Sequence, residues 1–355
     1  MAKSKDMVAL CGLGRANHLA QTTLDVVNVL RNDDNIVLAD TYFGHFPDGE
    51  LDDCFDNPEA IAGRHVLLFS SMLTDRFISP TLQLAWATHH HYGAKSVNLI
   101  APVLPYRRQD HPGKLHEFHR NLWLMEQLHH NHVNTVVLVD PHSQQSIDNG
   151  LLVGLNMIKV DPTEAYVLAL NNVVEEASEE SSPIFVLAVD AGSLLRSVLL
   201  AKLLQTKVLY YAKRREDDGS IDIQATIRPE VMEYIGQLQL EHNVEIIFED
   251  CEQYIKGAVI LMREDESDTG GTSTQNGWRC RNLGATKVYL IASRLVFSAG
   301  WRRKMGLRPG LNTPFDLVFG GNAIYPSYEK MHPRIIKVNL AKPIGSAVAR
   351  IIDEL

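Results

Sequence analysis

The chain has 355 residues, of which 45% are hydrophobic and 22% charged, and its formal net charge is −9. This composition is ordinary for a globular protein, and the length predicts two domains, because single cores stop growing beyond about 250–300 residues. An acidic surface of mixed charge does not favour nucleic-acid phosphates or an anionic membrane. We therefore expect neither as a partner, and any phosphate chemistry must depend on a local cationic site.

Cysteine usage and the N-terminal residues bear on the cellular compartment. The four cysteines form no C-x-x-C pair, which is typical of reduced thiols in a cytoplasmic protein. Residues 1–7 lack the apolar run of a signal peptide. No apolar stretch reaches the ~18 residues that a membrane-spanning helix needs. We therefore expect a cytoplasmic protein that is not inserted in a membrane.

Short apolar, β-branched runs recur along the chain, and each is followed by a helical pattern. Near-continuous apolar strands that alternate with helices are typical of parallel sheets covered on both faces. The sequence therefore predicts an α/β fold with mainly parallel sheets. The predicted strands are Met7–Leu10, Ile36–Leu38, His65–Phe69, Val97–Ile100, Thr135–Val139, Ile184–Val189, Lys207–Tyr211, Ala258–Met262 and Lys287–Ile291.

The boundary between the two domains is predicted near residue 160, giving domains 1–160 and 161–355, with a C-terminal tail that could pack back on the first domain. Two segments resemble each other, Gly93–Ile100 and Gly284–Ile291. Each has the pattern of a helix-ending glycine followed by a strand. The similarity is expected either from a duplicated α/β domain or from convergent helix-to-strand turns.

The most informative segment follows the predicted strand Ala258–Met262. Acidic residues end the strand, and a Gly-rich turn then leads into a helix. The amides of Gly270 and Gly271, with the flanking threonine hydroxyls, could cradle a phosphate at a helix N-terminus. The carboxylates ahead of them suit ribose hydroxyls, whereas a tight turn with a capping threonine is the alternative. The candidate residues of this sugar loop are Glu264, Asp265, Asp268, Thr269, Gly270, Gly271 and Thr272.

Cationic segments follow two other predicted strands. Lys213-Arg214-Arg215 comes after Lys207–Tyr211, at the strand end where α/β folds bind ligands. Lys213 and Arg215 would share one side if the strand continued. Arg107 and Arg108 follow Val97–Ile100 and suit ATP phosphates. A solvated loop is the alternative interpretation of each segment.

Two strand ends carry candidate metal ligands. Asp140-Pro141-His142 follows one strand, and Asp190 follows another. A carboxylate and an imidazole can hold a divalent cation, although Mg²⁺ prefers oxygen ligands. A polar strand terminus is the alternative for the first segment, and an N-terminal helix cap is the alternative for Asp190. The histidines at 89–91 and 129–130 lack zinc-site spacing and are interpreted as surface residues.

Taken in order, these segments resemble motifs of the ribose-phosphate pyrophosphokinase (PRPP synthetase) family along most of the chain. The matches are Phe46–Glu50 to F-S-D/N-x-E, Tyr106–Asp110 to Y-A-R-Q-D, Asp140–His142 to D-L-H, Val189–Arg196 to P-D-x-G-G-x-x-R, Lys213–Arg215 to K-x-R, and Glu264–Thr272 to D-D-M-I-D-T-G-G-T. The resemblance implies two phosphoribosyltransferase-type, Rossmann-like domains and a homo-oligomer of at least two subunits that share the ATP site.

The resemblance also implies an activity, the ATP-dependent transfer of a diphosphoryl group to the anomeric hydroxyl of ribose 5-phosphate, which gives PRPP and AMP. It implies Mg²⁺ as the cofactor and ATP and ribose 5-phosphate as ligands. The implied roles are ATP binding for Phe46, Asp48, Glu50, Arg108 and Gln109, metal binding for His142 and Asp190, catalysis for Lys213 and Arg215, and ribose 5-phosphate binding for the sugar loop.

Several segments depart from the family pattern. Residues 111–122 lack the family's flexible-loop motif, Glu264 replaces an aspartate, and Ser293-Arg294-Leu295 stands where the family has T-H-G. The stretch 216–257 is longer than its counterpart and includes a predicted helix, Pro229–Glu241. Three alternatives therefore stay open: the same transfer to a larger 5-phosphorylated riboside such as ADP-ribose, a phosphoribosyltransferase, and a regulatory paralogue without catalysis.

Overall fold

A computed structural model describes residues 6–11, 17–32, 36–39, 41–55, 57–112, 116–211, 214–215, 221–222, 227–324 and 332–355. The chain divides into two compact units. The first comprises 1–162, 323–325 and 339–355, and the second comprises 163–322 and 326–338. Lys213, one of the two cations to which the family resemblance assigns catalysis, lies outside the described residues.

The first unit is built on a six-stranded sheet whose described strand pairs are all parallel. In chain order its elements are β1 (Met7–Cys11), α1 (Asn17–Arg31), β2 (Val37–Ala39), β3 (Thr41–His45), β4 (Leu51–Phe55), β5 (His65–Phe69), α2 (Ile78–His90), β6 (Ser96–Ile100), α3 (Arg120–His130), β7 (Val133–Val139), α4 (Gln145–Leu152) and β8 (Asn156–Val160). The order across the sheet is β2-β1-β5-β6-β7-β8, and β3 and β4 form a separate antiparallel hairpin.

The second unit is built on a seven-stranded sheet, again with parallel neighbours throughout its described strands. In chain order its elements are α5 (Thr163–Ala169), α6 (Asn171–Glu179), β9 (Ile184–Ala188), α7 (Leu194–Leu204), β10 (Lys207–Tyr210), β11 (Arg214–Arg215), β12 (Ile221–Asp222), α8 (Pro229–His242), β13 (Ile246–Ile247), β14 (Val259–Ser267), α9 (Gly271–Asn282), β15 (Lys287–Leu295), α10 (Trp301–Lys304), β16 (Leu317–Gly321) and β17 (Ile335–Val338). The order across the sheet is β13-β10-β9-β14-β15-β16-β17.

Burial explains why these segments form parallel strands. All five residues of β6 are buried, as are the first five of β14, so both faces of each strand are covered. The predicted α/β class with mainly parallel sheets is confirmed, and so is the helix predicted at Pro229–Glu241, which extends one residue further. None of the helices in the described ranges combines the length and apolar character that crossing a membrane requires.

The two similar segments noted in the sequence form equivalent turns. Gly93 and Gly284 both have positive φ angles, 71° and 91°, and each ends a helix just before a strand. The carbonyl of each accepts a 2.9 Å hydrogen bond from the amide of another glycine, Gly63 in one unit and Gly257 in the other. The prediction of a helix-ending glycine is confirmed in both units, since a residue without a Cβ adopts the left-handed conformation at little cost.

The last helix, α11 (Ala341–Glu354), belongs to the first unit although it follows the second in the chain. It packs against α1, and the two backbones approach closely at Gly345. A Cβ on that glycine would lie 2.6 Å from Cγ1 of Val26. The first unit therefore depends on a segment far away in sequence.

Candidate active site

The strand order of the second unit reverses between β9 and β14. From β9 the chain adds β10 on one side, whereas from β14 it adds β15 on the other. Open parallel sheets bind ligands outside the carboxyl ends of the strands at such a reversal. The turn that follows Asp190 contacts β14, and the sugar loop follows β14 directly. The fold thus brings two of the segments selected from the sequence to one crevice.

Asp190 caps the turn after β9. Its Oδ1 accepts a 2.9 Å hydrogen bond from the amide of Ser193, and the Ser193 hydroxyl oxygen accepts one from the amide of Asp190 at 3.2 Å. This reciprocal pair is a capping box. The capping interpretation is confirmed, and because the residue is exposed, its carboxylate can still face a ligand.

Strand β14 is longer than predicted. The sequence prediction ended it at Met262, but it continues to Ser267, with Glu266 paired in register to Arg294 of β15. Arg294 is buried and donates to Oδ2 of Asp265 at 2.6 Å, and its Nε lies 3.6 Å from Glu266 Oε2. The carboxylates can remain within the paired strand because a buried cation compensates their charge.

A second buried arginine, Arg263, stabilises the same end of β14. Arg263 donates from Nη2 to the hydroxyl of Ser293 at 3.0 Å and from Nη1 to the carbonyl of Glu264. Its guanidinium stacks over the ring of Tyr166 at 4.9 Å from the ring centroid. Neither Arg263 nor Arg294 was predicted from the sequence as a site residue. The available signal was an arginine that follows an apolar strand segment, directly in β14 and after Ser293 in β15.

Glu264 is oriented toward the helix that follows the sugar loop. The hydroxyl of Ser273, in the first turn of α9, lies 3.0 and 2.9 Å from its two carboxylate oxygens. A negative charge beside a helix N-terminus is favourable because the first amides carry partial positive charge. This contact fixes one of the carboxylates expected to meet ribose hydroxyls.

The two glycines of the sugar loop differ in what constrains them. Gly270 has φ of 73°, and a Cβ there would lie 2.4 Å from Cγ of Met305. Gly271 has no positive φ, and a Cβ there would have only the Thr269 hydroxyl within 4 Å, at 3.9 Å. Gly271 and Thr272 are exposed at the start of α9, where helix amides have no intrahelical acceptor. The loop can therefore present amides to an anion.

Lys304 adds a cation beside this loop. Its ammonium donates to the hydroxyl of Thr269 at 3.4 Å, and α10, which it ends, packs on α9. The sequence analysis did not select this residue. Its signal was the run Arg302-Arg303-Lys304 soon after β15.

The cationic segment after β10 is described only in part. The strand β10 ends at Tyr210, and Arg215 belongs to β11, which pairs antiparallel with β12. Arg215 therefore does not continue β10, the geometry under which the sequence predicts a shared side with Lys213. Arg214 pairs in register with Asp222, and Arg215 with Ile221.

In the first unit, the predicted ATP-binding and metal-binding segments follow neighbouring strands. Arg108 and Gln109 are exposed after β6, and His142 is exposed after β7. Asp110 connects the two segments. It is buried, and its carboxylate accepts hydrogen bonds from the Ser143 hydroxyl and, at 2.7 Å, from a ring nitrogen of His111.

Asn149 of α4, which is itself hydrogen-bonded to Asn121 of α3, holds the backbone of the same segment. Asn149 donates to the Asp110 carbonyl at 2.9 Å and to Oδ1 of Asn121 at 2.9 Å. Burial alone would raise the pKa of Asp110, but hydrogen bonds from Ser143 and His111, with the charge of His111, outweigh it and lower the pKa. We call these five residues the Asp110 network.

The predicted adenine-contacting residues form the tip of the β3–β4 hairpin. Phe46, Asp48 and Glu50 are all exposed. The tip is closed by a 2.8 Å bond from the amide of Phe46 to the carbonyl of Glu50, and the Glu50 amide donates to Oδ1 of Asp48 at 3.1 Å. In the isolated chain, the hairpin thus exposes an aromatic ring and two carboxylates to solvent.

The sequence of this chain is similar to those of several known proteins. No family model matches the chain. It is 24% identical over 322 residues to ribose-phosphate pyrophosphokinase 1 of Streptococcus pneumoniae, covering 90% of this chain and 88% of that one. It is 23% identical over 265 residues to ribose-phosphate pyrophosphokinase of Thermoplasma volcanium, covering 73% and 77%. The chain is thus similar to ribose-phosphate pyrophosphokinases over most of its length.

A solved structure has the same fold. Phosphoribosylpyrophosphate synthetase of Mycobacterium smegmatis superposes with a TM-score of 0.75 at 17% identity, covering 98% of this chain and 99% of that one. The shared fold spans nearly the whole chain. The residue roles inherited through the resemblance stay predictions.

Proposed function

We propose that this chain transfers the β,γ-diphosphoryl group of ATP to the anomeric hydroxyl of ribose 5-phosphate. The hydroxyl oxygen attacks the β-phosphorus, the bond from that phosphorus to the bridging α,β-oxygen breaks, and AMP leaves with the bridging oxygen. The hydroxyl proton passes to solvent. The products are PRPP and AMP.

One observation carries the proposal. The sugar loop presents the first amides of α9 at the strand-order reversal of the second unit, beside the turn that Asp190 caps. Helix N-termini at such a reversal suit a phosphate group. Lys304 provides a matching positive charge, and Glu264 and Asp265 provide acceptors for sugar hydroxyls. The names of the relatives agree with a ribose phosphate as the ligand of this loop.

The remaining roles follow the family resemblance. Phosphoryl transfer depends on positioning and on cations that neutralise charge in the transition state. In this proposal Lys213 and Arg215 supply that charge. Arg108 and Gln109 bind the ATP phosphates, and the Asp110 network positions them. The exposed hairpin tip at residues 46–50 contacts the adenine of ATP bound to a partner subunit.

Mg²⁺ is the proposed cofactor. The exposed Asp190 carboxylate is the hard oxygen donor that this ion prefers, whereas the His142 imidazole fits better as a contact to a metal-bound water. When bound, Mg²⁺ would neutralise the charge of the ATP phosphates. The capping box holds Asp190 in place for that contact.

The product assay is the direct test. Purified protein is incubated with ATP, Mg²⁺ and ribose 5-phosphate, and the nucleotide and sugar products are identified by mass. The proposal expects AMP and a diphosphorylated sugar in equal amounts. Formation of ADP instead would mean transfer of a single phosphoryl group and would overturn it. Variants Lys213→Ala and Arg215→Ala that keep the native kcat would remove these residues from the catalytic role.

A larger acceptor such as ADP-ribose is the second candidate. The observation that favours it is the exposure of Gly271 and Thr272, which leaves the 5-phosphate end of the loop open to solvent within the second unit. An open end can accept a 5-phosphate that carries a further group. Competition between ribose 5-phosphate and ADP-ribose decides the matter, since the true acceptor has the higher kcat/KM.

Two other outcomes identify the remaining alternatives. Consumption of PRPP with a nucleobase would indicate a phosphoribosyltransferase. No turnover of either sugar, with stimulation or inhibition of an active relative upon mixing, would indicate a regulatory paralogue.

A further inference from the structure

Three histidines from distant parts of the first unit meet at its surface. His89 and His90 lie in the last turn of α2, and His132 lies in the turn between α3 and β7. The ring of His132 stacks on that of His89, with centroids 4.2 Å apart and an interplanar angle of 14°. It meets the ring of His90 edge-on at 4.3 Å. We call these three residues the histidine cluster.

The cluster is separate from the candidate active site. His132 directly precedes β7, whereas Asp140 and His142 follow the same strand. The cluster therefore lies at the amino end of the strands, and the predicted ATP-binding segments lie at the carboxyl end. A ligand of the histidine cluster is not the Mg²⁺ of the proposed reaction.

The nitrogen atoms are close enough to share one ion. One ring nitrogen from each of the three side chains lies within 4.8 Å of the others. In a tetrahedral site with metal–nitrogen bonds of about 2.0–2.1 Å, the ligand nitrogens are roughly 3.3 Å apart. The rings can close the difference by side-chain rotation, because His89 and His132 are only half-buried and His90 is exposed.

The backbone already fixes the position of the three residues. The carbonyl of His89 accepts a hydrogen bond from Gly93 at 3.2 Å, and the amide of His132 donates to the His129 carbonyl at 3.0 Å. His132 has φ of 63°, which orients its side chain toward α2 out of a tight turn.

We propose that His89, His90 and His132 form a binding site for one borderline transition-metal dication, of the Zn²⁺ or Ni²⁺ class. Imidazole ligands suit these ions, whereas Mg²⁺ prefers oxygen. Three protein ligands leave at least one coordination position for water. Bound metal joins the end of α2 to the α3–β7 turn and stabilises the first unit.

Trp86 provides a local reporter for the test. Its ring lies 5.0 Å from that of His90, and it is 49% exposed. Chelator-treated full-length protein in millimolar Mg²⁺ is titrated with Ni²⁺, following tryptophan fluorescence, and with Zn²⁺, following the thermal midpoint. The proposal expects binding of one ion per chain, quenching that is lost in Trp86→Phe, and a raised midpoint because the ion binds the folded state.

Variants separate the cluster from other metal-binding groups. His132→Asn keeps a residue that tolerates positive φ, and His90→Gln changes an exposed position at a helix end. Each should weaken Zn²⁺ affinity by at least about tenfold. His242→Asn, at the end of α8, is the matched control and should bind like the native chain. Native Zn²⁺ affinity in both cluster variants, or the absence of stoichiometric binding to the native chain, would overturn the proposal.

Discussion

The sugar loop of the second unit and the Asp110 network of the first unit position the proposed ligand-binding segments in different ways. The loop uses backbone conformation, with a left-handed Gly270 placing the start of α9 at a strand end. The network uses side chains, with a buried carboxylate joining segments that follow two strands. A backbone-built site should be sensitive to an added Cβ and indifferent to pH, whereas a site built from side chains should respond to charge and pH.

The largest effect is expected from Gly270→Ala. A left-handed backbone strains any residue with a Cβ by about 1–3 kcal/mol, and the overlap with Met305 adds about 1–3 kcal/mol of overpacking. We expect the free energy of unfolding to fall by about 2–6 kcal/mol, measured by urea denaturation. Combining it with Met305→Ala in a double-mutant cycle should recover only the steric part. Native stability in Gly270→Ala would contradict the role of this backbone conformation.

The next effect is expected from Asp110→Asn, with a dependence on pH. The folded-state pKa of Asp110 is lowered, so its carboxylate stabilises the fold above the unfolded pKa of about 3.9, and this contribution is lost as pH falls through the folded pKa. The variant should lose about 1–3 kcal/mol at pH 7.

Denaturation at pH 7 and at about pH 3 checks the Asp110 prediction. The difference between variant and native chain should shrink at the lower pH, because pH 3 lies below the unfolded pKa of about 3.9, where the unfolded chain binds a proton at this group that the folded chain binds less readily. Asp148→Asn, at an exposed position of α4, is the matched control and should show little effect at either pH. A difference that is the same at both values would show that the carboxylate charge does not stabilise the network.

A smaller and more selective effect is expected from Gly271→Ala. The position has room for a Cβ and no positive φ, so stability should change by less than about 1 kcal/mol. A bound phosphate would meet the new methyl group, and affinity for ribose 5-phosphate should fall about tenfold, equivalent to about 1.4 kcal/mol. Calorimetric titration with ribose 5-phosphate and with ATP separates the two ligands. Equal affinity in variant and native chain would mean that the loop is only a turn.

The smallest effect is expected from Lys304→Met. An exposed ion pair contributes about 0.2–1 kcal/mol, so the KM for the sugar phosphate should rise about two- to fivefold at low salt. The rise should diminish as salt screens the charge. Lys342→Met, at an exposed position of α11, should leave KM unchanged. A KM for Lys304→Met that matches this control would show that Lys304 does not contribute to binding of the sugar phosphate.

The fold could be predicted because its strands are continuous apolar runs. The end of β14 was predicted wrongly, because Arg263–Ser267 contains mostly charged side chains, and the cation that compensates Asp265 is Arg294, contributed by the neighbouring strand. A local pattern contains no information about a partner 29 residues away.

The same limit applies to the sites. Segments at strand ends could be selected from local sequence, but the bond from Ser143 to Asp110 joins residues 33 positions apart. The histidines at 89–90 were interpreted as surface residues, and His132 was not considered with them, because only the fold brings the three rings together. Contacts across strands and turns depend on register and connection geometry, which periodicity does not encode.

The return of α11 to the first unit affects the order of folding during synthesis. The face of α1 that it covers, near Val26 and Gly345, stays uncovered until the second unit has been translated. At about 5–20 residues per second this interval lasts roughly ten to forty seconds. During that time the nascent first unit exposes apolar surface on the ribosome, so chaperone binding should concentrate on this helix until the chain end emerges.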